Sequence, residues 1–453
     1  MAINNTSLSH HQLHQIFTKA EKIFFIGIGG ISMSGIAEFC VNSGKEIFGY
    51  DRERNERTCH LEKLGKIKYY STPDNITGMD MVVYTNAISE DNCEYRQAKK
   101  LKIPLISRAN LLGYIVSLHK SQIGVSGMHG KSTTTSMLAH IFYSACKNPT
   151  VFCGAKMSNF DSSYKFGGKG YCIFEACEYQ NSFLCLPTTD AVILNVDYDH
   201  PDFFDGIEEI KKSFSEYIKD SCRVFINCDD ENSRKLCHPR VITFGFSPCA
   251  TYRAEACEQA KDGVAFCVYK QGELLCKCQL KCFGTHMIYN ALCAFAVAHT
   301  HGISPKEIQD AMLSFSGSQR RMEFVKKIDT GADIFEDYAH HPTEIKASLS
   351  ALSDMGYKNI LCVFQAHTYS RTHFLYEQFT KAFSLAKKLI ITPTFSAREE
   401  NIFELSEDKF AADCGGEYIS DFEKIAHRVA EIGYDCVVMM GAGDLSSHIK
   451  KLI

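Results

Sequence analysis

The stretch SQIGVSGMHGKSTTT, residues 121–135, decides the fold. Its apolar start reads as a β-strand, Gly127-Met128-His129-Gly130 as a turn, and Lys131-Ser132-Thr133 as the opening of a helix. A strand, a glycine turn and a helix in that order aim a row of backbone N–H groups at one point, where they cradle phosphate. A lysine at that place neutralises charge and a hydroxyl holds Mg2+. Val125 stands where the first glycine of the strict phosphate-loop pattern belongs, but the strand and helix context still marks a triphosphate site. The candidate ATP residues are Gly127, Met128, His129, Gly130, Lys131, Ser132 and Thr133.

Downstream of the loop, the apolar runs YCIFEA (171–176), AVILNV (191–196) and RVFINC (223–228) alternate with helical stretches such as IEEIKKSFSEYIKD (207–220). That alternation predicts a mostly parallel sheet covered by helices. Residues 250–282 change to short alternating segments, a small antiparallel excursion before the helix MIYNALCAFAVAHTHG (287–302). Glu175 follows a strand and either faces Ser132 or Thr133 as a magnesium ligand or is a solvated turn residue. His200, at the end of ILNVDYDH, reads from position alone as a capping histidine at a strand-to-helix turn.

Upstream, KIFFIGIGG (22–30) runs a strand into Gly27, Gly29 and Gly30, and Asp51 ends the next strand. Such a turn binds a nucleotide diphosphate at a helix N-terminus, or is a purely structural tight turn. Ser32 replaces the third glycine of the dinucleotide fingerprint. RANLLGYIVSLHK (108–120) reads as an amphipathic helix closing this first unit. A third unit opens near GSQRRMEF (317–324) and continues through ADIFEDYA (332–339) and NILCVFQA (359–366). The expected organisation is therefore α/β in three domains, 1–117, 118–316 and 317–453, the first and last Rossmann-like and the central one of phosphate-loop type.

Composition agrees with this scheme. A chain of 453 residues holds about three domains at roughly 150 residues each. Lys+Arg 49 against Asp+Glu 53 gives a net charge of -4, which argues against nucleic acid or an anionic membrane as partner. The polar N-terminal stretch has no apolar signal core, and no apolar run reaches about 18 residues, so a cytoplasmic protein without membrane insertion is expected. The 21 cysteines read as reduced thiols in so long a chain. Cys276, Cys278 and Cys282 lack paired C-x-x-C spacing and do not suggest zinc.

With these motifs in view, the chain resembles the Mur ligases, whose loop reads G-[TS]-[HN]-G-K-[TS]-[TS]. The resemblance runs in order through EACEYQNSFL (175–184), ILNVDYDH, THMIYNA (285–291), RRMEF (320–324), EDYAHHPTEI (336–345), FQAHTYSRT (364–372) and GAGD (441–444). GIGGISMSGIAE and VVYTNAI are similar to the uridine-nucleotide domain of the alanine-adding branch. The resemblance implies ATP-dependent joining of L-alanine to the lactyl carboxylate of UDP-N-acetylmuramate through an acyl phosphate, with two Mg2+ ions. It implies that Gly27, Gly29, Gly30 and Asp51 bind the UDP substrate, and that Asn290, Arg321 and Asp337 join the loop in binding ATP. It further implies that Ser132, Glu175 and His200 hold metal, that Lys131, Glu175, His200 and His340 are catalytic, and that Tyr338, His340 and Arg371 receive the amino acid. Thr368 stands where some relatives carry a second arginine. A tripeptide-adding ligase of the same family is the nearest alternative; an NAD-dependent oxidoreductase would leave GMHGKST without a role.

Overall fold

A computed structural model describes residues 8–260, 263–397 and 399–450. Residues 1–7 of the polar N-terminal stretch lie outside the described residues. Three sheets follow one another along the chain, and each is built on a strand that runs directly into a turn and a helix.

The first sheet is wholly parallel and centred on Lys22–Ile26, which pairs with Glu46–Tyr50 on one side and Met81–Tyr84 on the other. Four of its five residues are buried, as expected of a strand covered on both faces. The second sheet has ten strands. Its centre is parallel, with Ser121–Ser126 flanked by Tyr171–Glu175 and Asp190–Ile193. Its far edge is the expected antiparallel excursion, Tyr252–Ala260, Gly263–Lys270 and Glu273–Leu280. The third sheet has six strands, parallel except for Glu323–Lys327, which pairs antiparallel with Asp333–Asp337.

The helix Arg108–Ser117 departs from its expected amphipathic character, because seven of its ten residues, including Ala109, Leu112 and Val116, are buried. An apolar stretch covered on nearly all sides needs a second body to pack against. That body is the segment Tyr179–Cys185 of the central unit: a Cβ on Gly113 would lie 2.0 Å from the Cys185 carbonyl oxygen. One apolar core accordingly runs from Ile23 and Phe25 through Leu112 and Ile115 to Phe174 and Phe183. Cys276 and Cys278 lie on the edge strand Glu273–Leu280 with their sulfurs 3.6 Å apart, Cys278 being buried in the apolar core of the central unit. Among the described residues no helix is long and apolar enough to cross a membrane.

The contact at Gly113 generates a prediction. Gly113→Ala should overpack the junction and cost about 1–3 kcal/mol, read as an earlier first transition in thermal unfolding; an unchanged melting curve would contradict this account of the junction.

Candidate active site

The parallel registers of the central sheet bring three chain segments to one edge. Val125 lies beside Glu175, and Ser126 beside Ile193, so the glycine turn, the end of strand Tyr171–Glu175 and the segment 194–200 all emerge together. This is the carboxyl edge where α/β sheets bind ligands. Gly130 caps the helix Lys131–Ser144 at φ +84°, and a Cβ there would lie 2.5 Å from Asn290 Oδ1, so only glycine fits. Asn195 clamps the turn from the neighbouring segment: it accepts the His129 N–H at 2.9 Å and donates to the His129 carbonyl at 3.0 Å.

Lys131 Nζ donates to the carbonyls of Gly127 (2.6 Å) and Met128 (3.1 Å) and to Glu178 Oε1 (3.2 Å). The Met128 side chain is buried in the apolar core, so only its backbone serves the loop. Burial works against the charged form of Lys131; the adjoining Glu178 carboxylate outweighs it and keeps the ammonium charged. Ser132 Oγ donates to Glu175 Oε2 at 2.8 Å, and the Gly154 N–H donates to the same oxygen at 2.8 Å. Glu175 therefore stands against the first helical turn, a pair of hard oxygen donors such as Mg2+ requires. His200, in a left-handed conformation at φ +55°, places Nε2 3.4 Å from Glu178 Oε1 and its ring 4.6 Å from that of Tyr179.

Residues of the third unit meet this edge. Arg371 is buried; Nε donates to Asp199 Oδ1 at 2.9 Å, one terminal nitrogen to Asp199 Oδ2 at 3.3 Å, and the other to His367 Nδ1 at 3.2 Å. In this structure Asp199 takes the guanidinium fork of Arg371. Two charges out of water must pair, and these two do so across 172 residues. His340 Nδ1 lies 2.9 Å from the Tyr338 carbonyl, which accepts its N–H, and burial pushes the imidazole down to about 3. It is neutral at pH 7 and keeps a lone pair on Nε2. The Tyr338 ring lies 5.0 Å and 5.1 Å from the guanidinium carbons of Arg320 and Arg321.

Between the central and third units lies a cavity of about 960 Å³, lined by His129, Gly130, Thr133, Asn290, Arg321 and Asp337. Six of the ten sequence-derived ATP residues thus line one space, while Gly127, Met128, Lys131 and Ser132 do not. Asp337 is buried there, bonded to Ser348, and burial raises its carboxyl to about 6. His129 holds the cavity's two walls together: Nδ1 lies 3.3 Å from Glu344 and Nε2 3.6 Å from Asp197. Burial works against the charged imidazole, but the nearby carboxylates of Asp197 and Glu344 outweigh it and raise the pKa to about 9. Glu344 also accepts the backbone N–H groups of His340 and His341, capping the helix Pro342–Asp354. His129, Asp197 and His341 have ligand atoms within 4.8 Å of one another. His341 is committed elsewhere, however, with Nδ1 accepting from the Thr343 N–H and Nε2 donating to the Tyr198 carbonyl.

In the first unit, the Gly29 N–H donates to Asp51 Oδ2 at 2.7 Å, and a Cβ on Gly29 would lie 2.7 Å from Thr58 Cγ2. Packing inside the protein by itself therefore requires glycine at position 29. Asp51 is drawn into the turn by the same bond. Gly30 remains exposed at the N-terminus of helix Ile31–Asn42, and Ser32, in place of the third glycine, accepts a bond from Arg108 at 3.1 Å.

Comparison with known proteins gives this arrangement its family. Three models match in chain order: the Mur ligase family catalytic domain at residues 22–120, the Mur ligase middle domain at 125–298, and the Mur ligase glutamate ligase domain at 320–443. The chain belongs to the Mur ligase family. Relatives of this Mur ligase include the UDP-N-acetylmuramate–L-alanine ligase of Caldicellulosiruptor saccharolyticus, 39% identical over 449 residues, covering 95% of this chain and 98% of that one. The enzyme of that name from Acetivibrio thermocellus is 40% identical over 444 residues, covering 94% of each. Among solved structures, UDP-N-acetylmuramate-alanine ligase from Thermotoga maritima superposes with a TM-score of 0.83 at 26% identity, covering 95% of this chain and 98% of that one. A murein peptide ligase from Psychrobacter arcticus shares the fold with a TM-score of 0.70 at 20% identity, with the same coverages.

Two predictions follow from the ion pairs of this Mur ligase. Because the folded pKa of His129 lies above its ordinary value of about 6.5, its contribution to stability is complete below that pH and is lost as pH rises through about 9. The melting-temperature gap between the parent protein and His129→Gln should therefore shrink from pH 6 to pH 10; a constant gap would contradict a charged His129. Arg371→Ala should destabilise the fold by about 3–5 kcal/mol, because Asp199 is left as a buried unpaired charge. Adding Asp199→Asn should recover most of that loss in denaturant titrations.

Proposed function

We propose that this Mur ligase joins L-alanine to UDP-N-acetylmuramate with hydrolysis of ATP to ADP and phosphate, a step in assembling peptidoglycan. The supporting observation is the alignment of a phosphate loop, two hard oxygen donors and a histidine along the edge of a nucleotide-sized cavity, in a chain similar over nearly its whole length to ligases bearing that name. The murein tripeptide reading has weaker support, since its solved representative matches less well than the alanine ligase.

In this proposal, residues 1–117 hold the uridine nucleotide, 118–316 bind ATP and 317–453 receive alanine, in the cytoplasm where these nucleotides are available. Gly27, Gly30 and the helix behind them take the diphosphate, whose charge suits a helix N-terminus. Asn290 and Asp337 face the nucleotide in the cavity, with Arg321 against its phosphates. Ser132 and Glu175 fit one Mg2+ through oxygen, and His200 fits a second; when bound, the ions neutralise charge on the transferring phosphoryl group. Lys131 releases its hold on the loop carbonyls and meets the γ-phosphate, which passes to the lactyl carboxylate. The resulting acyl phosphate is a far better electrophile than the carboxylate. The alanine amine attacks it, and the tetrahedral adduct collapses to amide and phosphate.

His340, neutral and with a free Nε2 lone pair, accepts a hydrogen bond from the incoming amine. So weakly basic an imidazole orients the amine rather than storing its proton. Arg371 offers the alanine carboxylate its electrostatic field while remaining braced on Asp199. Closure of the units around the cavity excludes water, which would hydrolyse an acyl phosphate.

ADP release measured with each substrate omitted in turn tests the proposal. Turnover should require UDP-N-acetylmuramate and L-alanine together, and mass spectrometry should find UDP-N-acetylmuramoyl-L-alanine. Turnover with murein tripeptide in place of alanine, or without any UDP substrate, would sink it.

A further inference from the structure

Glu178 is the most enclosed carboxylate at the sheet edge, only 1% exposed. Two groups of the proposed reaction converge on it from different segments. The Lys131 ammonium lies 3.1 Å from Oε2 and 3.2 Å from Oε1, and His200 Nε2 lies 3.4 Å from Oε1. The backbone around it is held in left-handed conformations by residues other than glycine: Gln180 at φ +53°, Asn181 at +54° and His200 at +55°. Each such residue costs about 1–3 kcal/mol and persists only where the surroundings impose it. The Tyr179 ring lies tilted against the His200 ring, 4.6 Å between centroids, and its hydroxyl donates to Asp202, bounding the imidazole from a second side.

We infer that Glu178 is a positioning residue, one buried carboxylate that sets the place of the phosphate-loop lysine and of the metal-binding histidine together. This rests on the reading of His200 as a metal ligand. A carboxylate accepting one ring N–H fixes the tautomer and leaves the lone pair of the other nitrogen to a metal; loss of such a partner typically weakens metal binding or activity 10–100-fold. Glu178 stands on the Nε2 side of His200, 3.4 Å away, where such a partner would act. The same carboxylate keeps Lys131 charged and next to the loop, and thereby links the residue that meets the γ-phosphate to the one that carries metal.

The test is Mn2+ affinity measured by electron paramagnetic resonance on the full chain with saturating ADP, alongside kcat. Glu178→Gln should weaken Mn2+ by tenfold or more and lower kcat by at least as much. His200→Ala serves as the control. If His200→Ala binds Mn2+ like the parent, the assignment of His200 as ligand fails. If His200→Ala weakens Mn2+ while Glu178→Gln binds it within threefold of the parent, the inference about Glu178 is overturned. Should Glu178→Gln fail to fold because Lys131 has lost its counter-charge, Lys131→Met/Glu178→Gln compared with Lys131→Met reads the same effect in a charge-balanced pair. Equal Mn2+ affinity in those two proteins overturns it as well.

Discussion

The site is organised by the need to keep a lysine charged where water is largely excluded. Lys131 has three N–H donors and finds three acceptors, two carbonyls of its own loop and the Glu178 carboxylate. An ammonium so enclosed would be costly without a counter-charge. Glu178 must be buried to supply one, and a buried carboxylate wants further donors, which draws in His200. From His200 the chain passes at once to Asp199, which needs Arg371 of the third unit. One buried charge thus entails a sequence of partners that ends on a helix of the third unit.

A second link runs in parallel. His129, also on the phosphate loop, is charged by Asp197 and by Glu344, and Glu344 caps the helix that follows Asp337, Tyr338 and His340. The central unit is therefore fastened to the third unit at two places, from the glycine loop by His129 to Glu344 and from the following segment by Asp199 to Arg371. Catalysis by phosphoryl transfer depends on positioning and on charges fixed in advance. Both fastenings act on those two quantities.

Much of this could be read in the sequence because it rests on local rules. The strand that carries Glu175, the glycine turn before Lys131, and the antiparallel edge at 252–280 all have short-range signatures, and several of the expected ATP residues line one cavity. Partnerships between distant segments had no such signal. Glu178 sits in the quoted motif EACEYQ, but only the left-handed turn after it folds its carboxylate back onto Lys131. The pairing of Arg371 with Asp199 joins positions far apart in the chain, and an arginine in sequence looks the same free or paired. Gly29 also faces a packing constraint from Thr58, which lies on a helix whose packing no periodicity announces. Helix Arg108–Ser117 reads as amphipathic only until its second neighbour is known.

The central claim is that this edge transfers a phosphoryl group to a carboxylate before an amide forms. It is tested most directly by labelling the lactyl carboxylate of UDP-N-acetylmuramate with oxygen-18 and analysing the inorganic phosphate released during a single turnover with ATP and L-alanine. An acyl phosphate requires one labelled oxygen to leave with the phosphate. Phosphate free of label, formed together with the amide product, would contradict it.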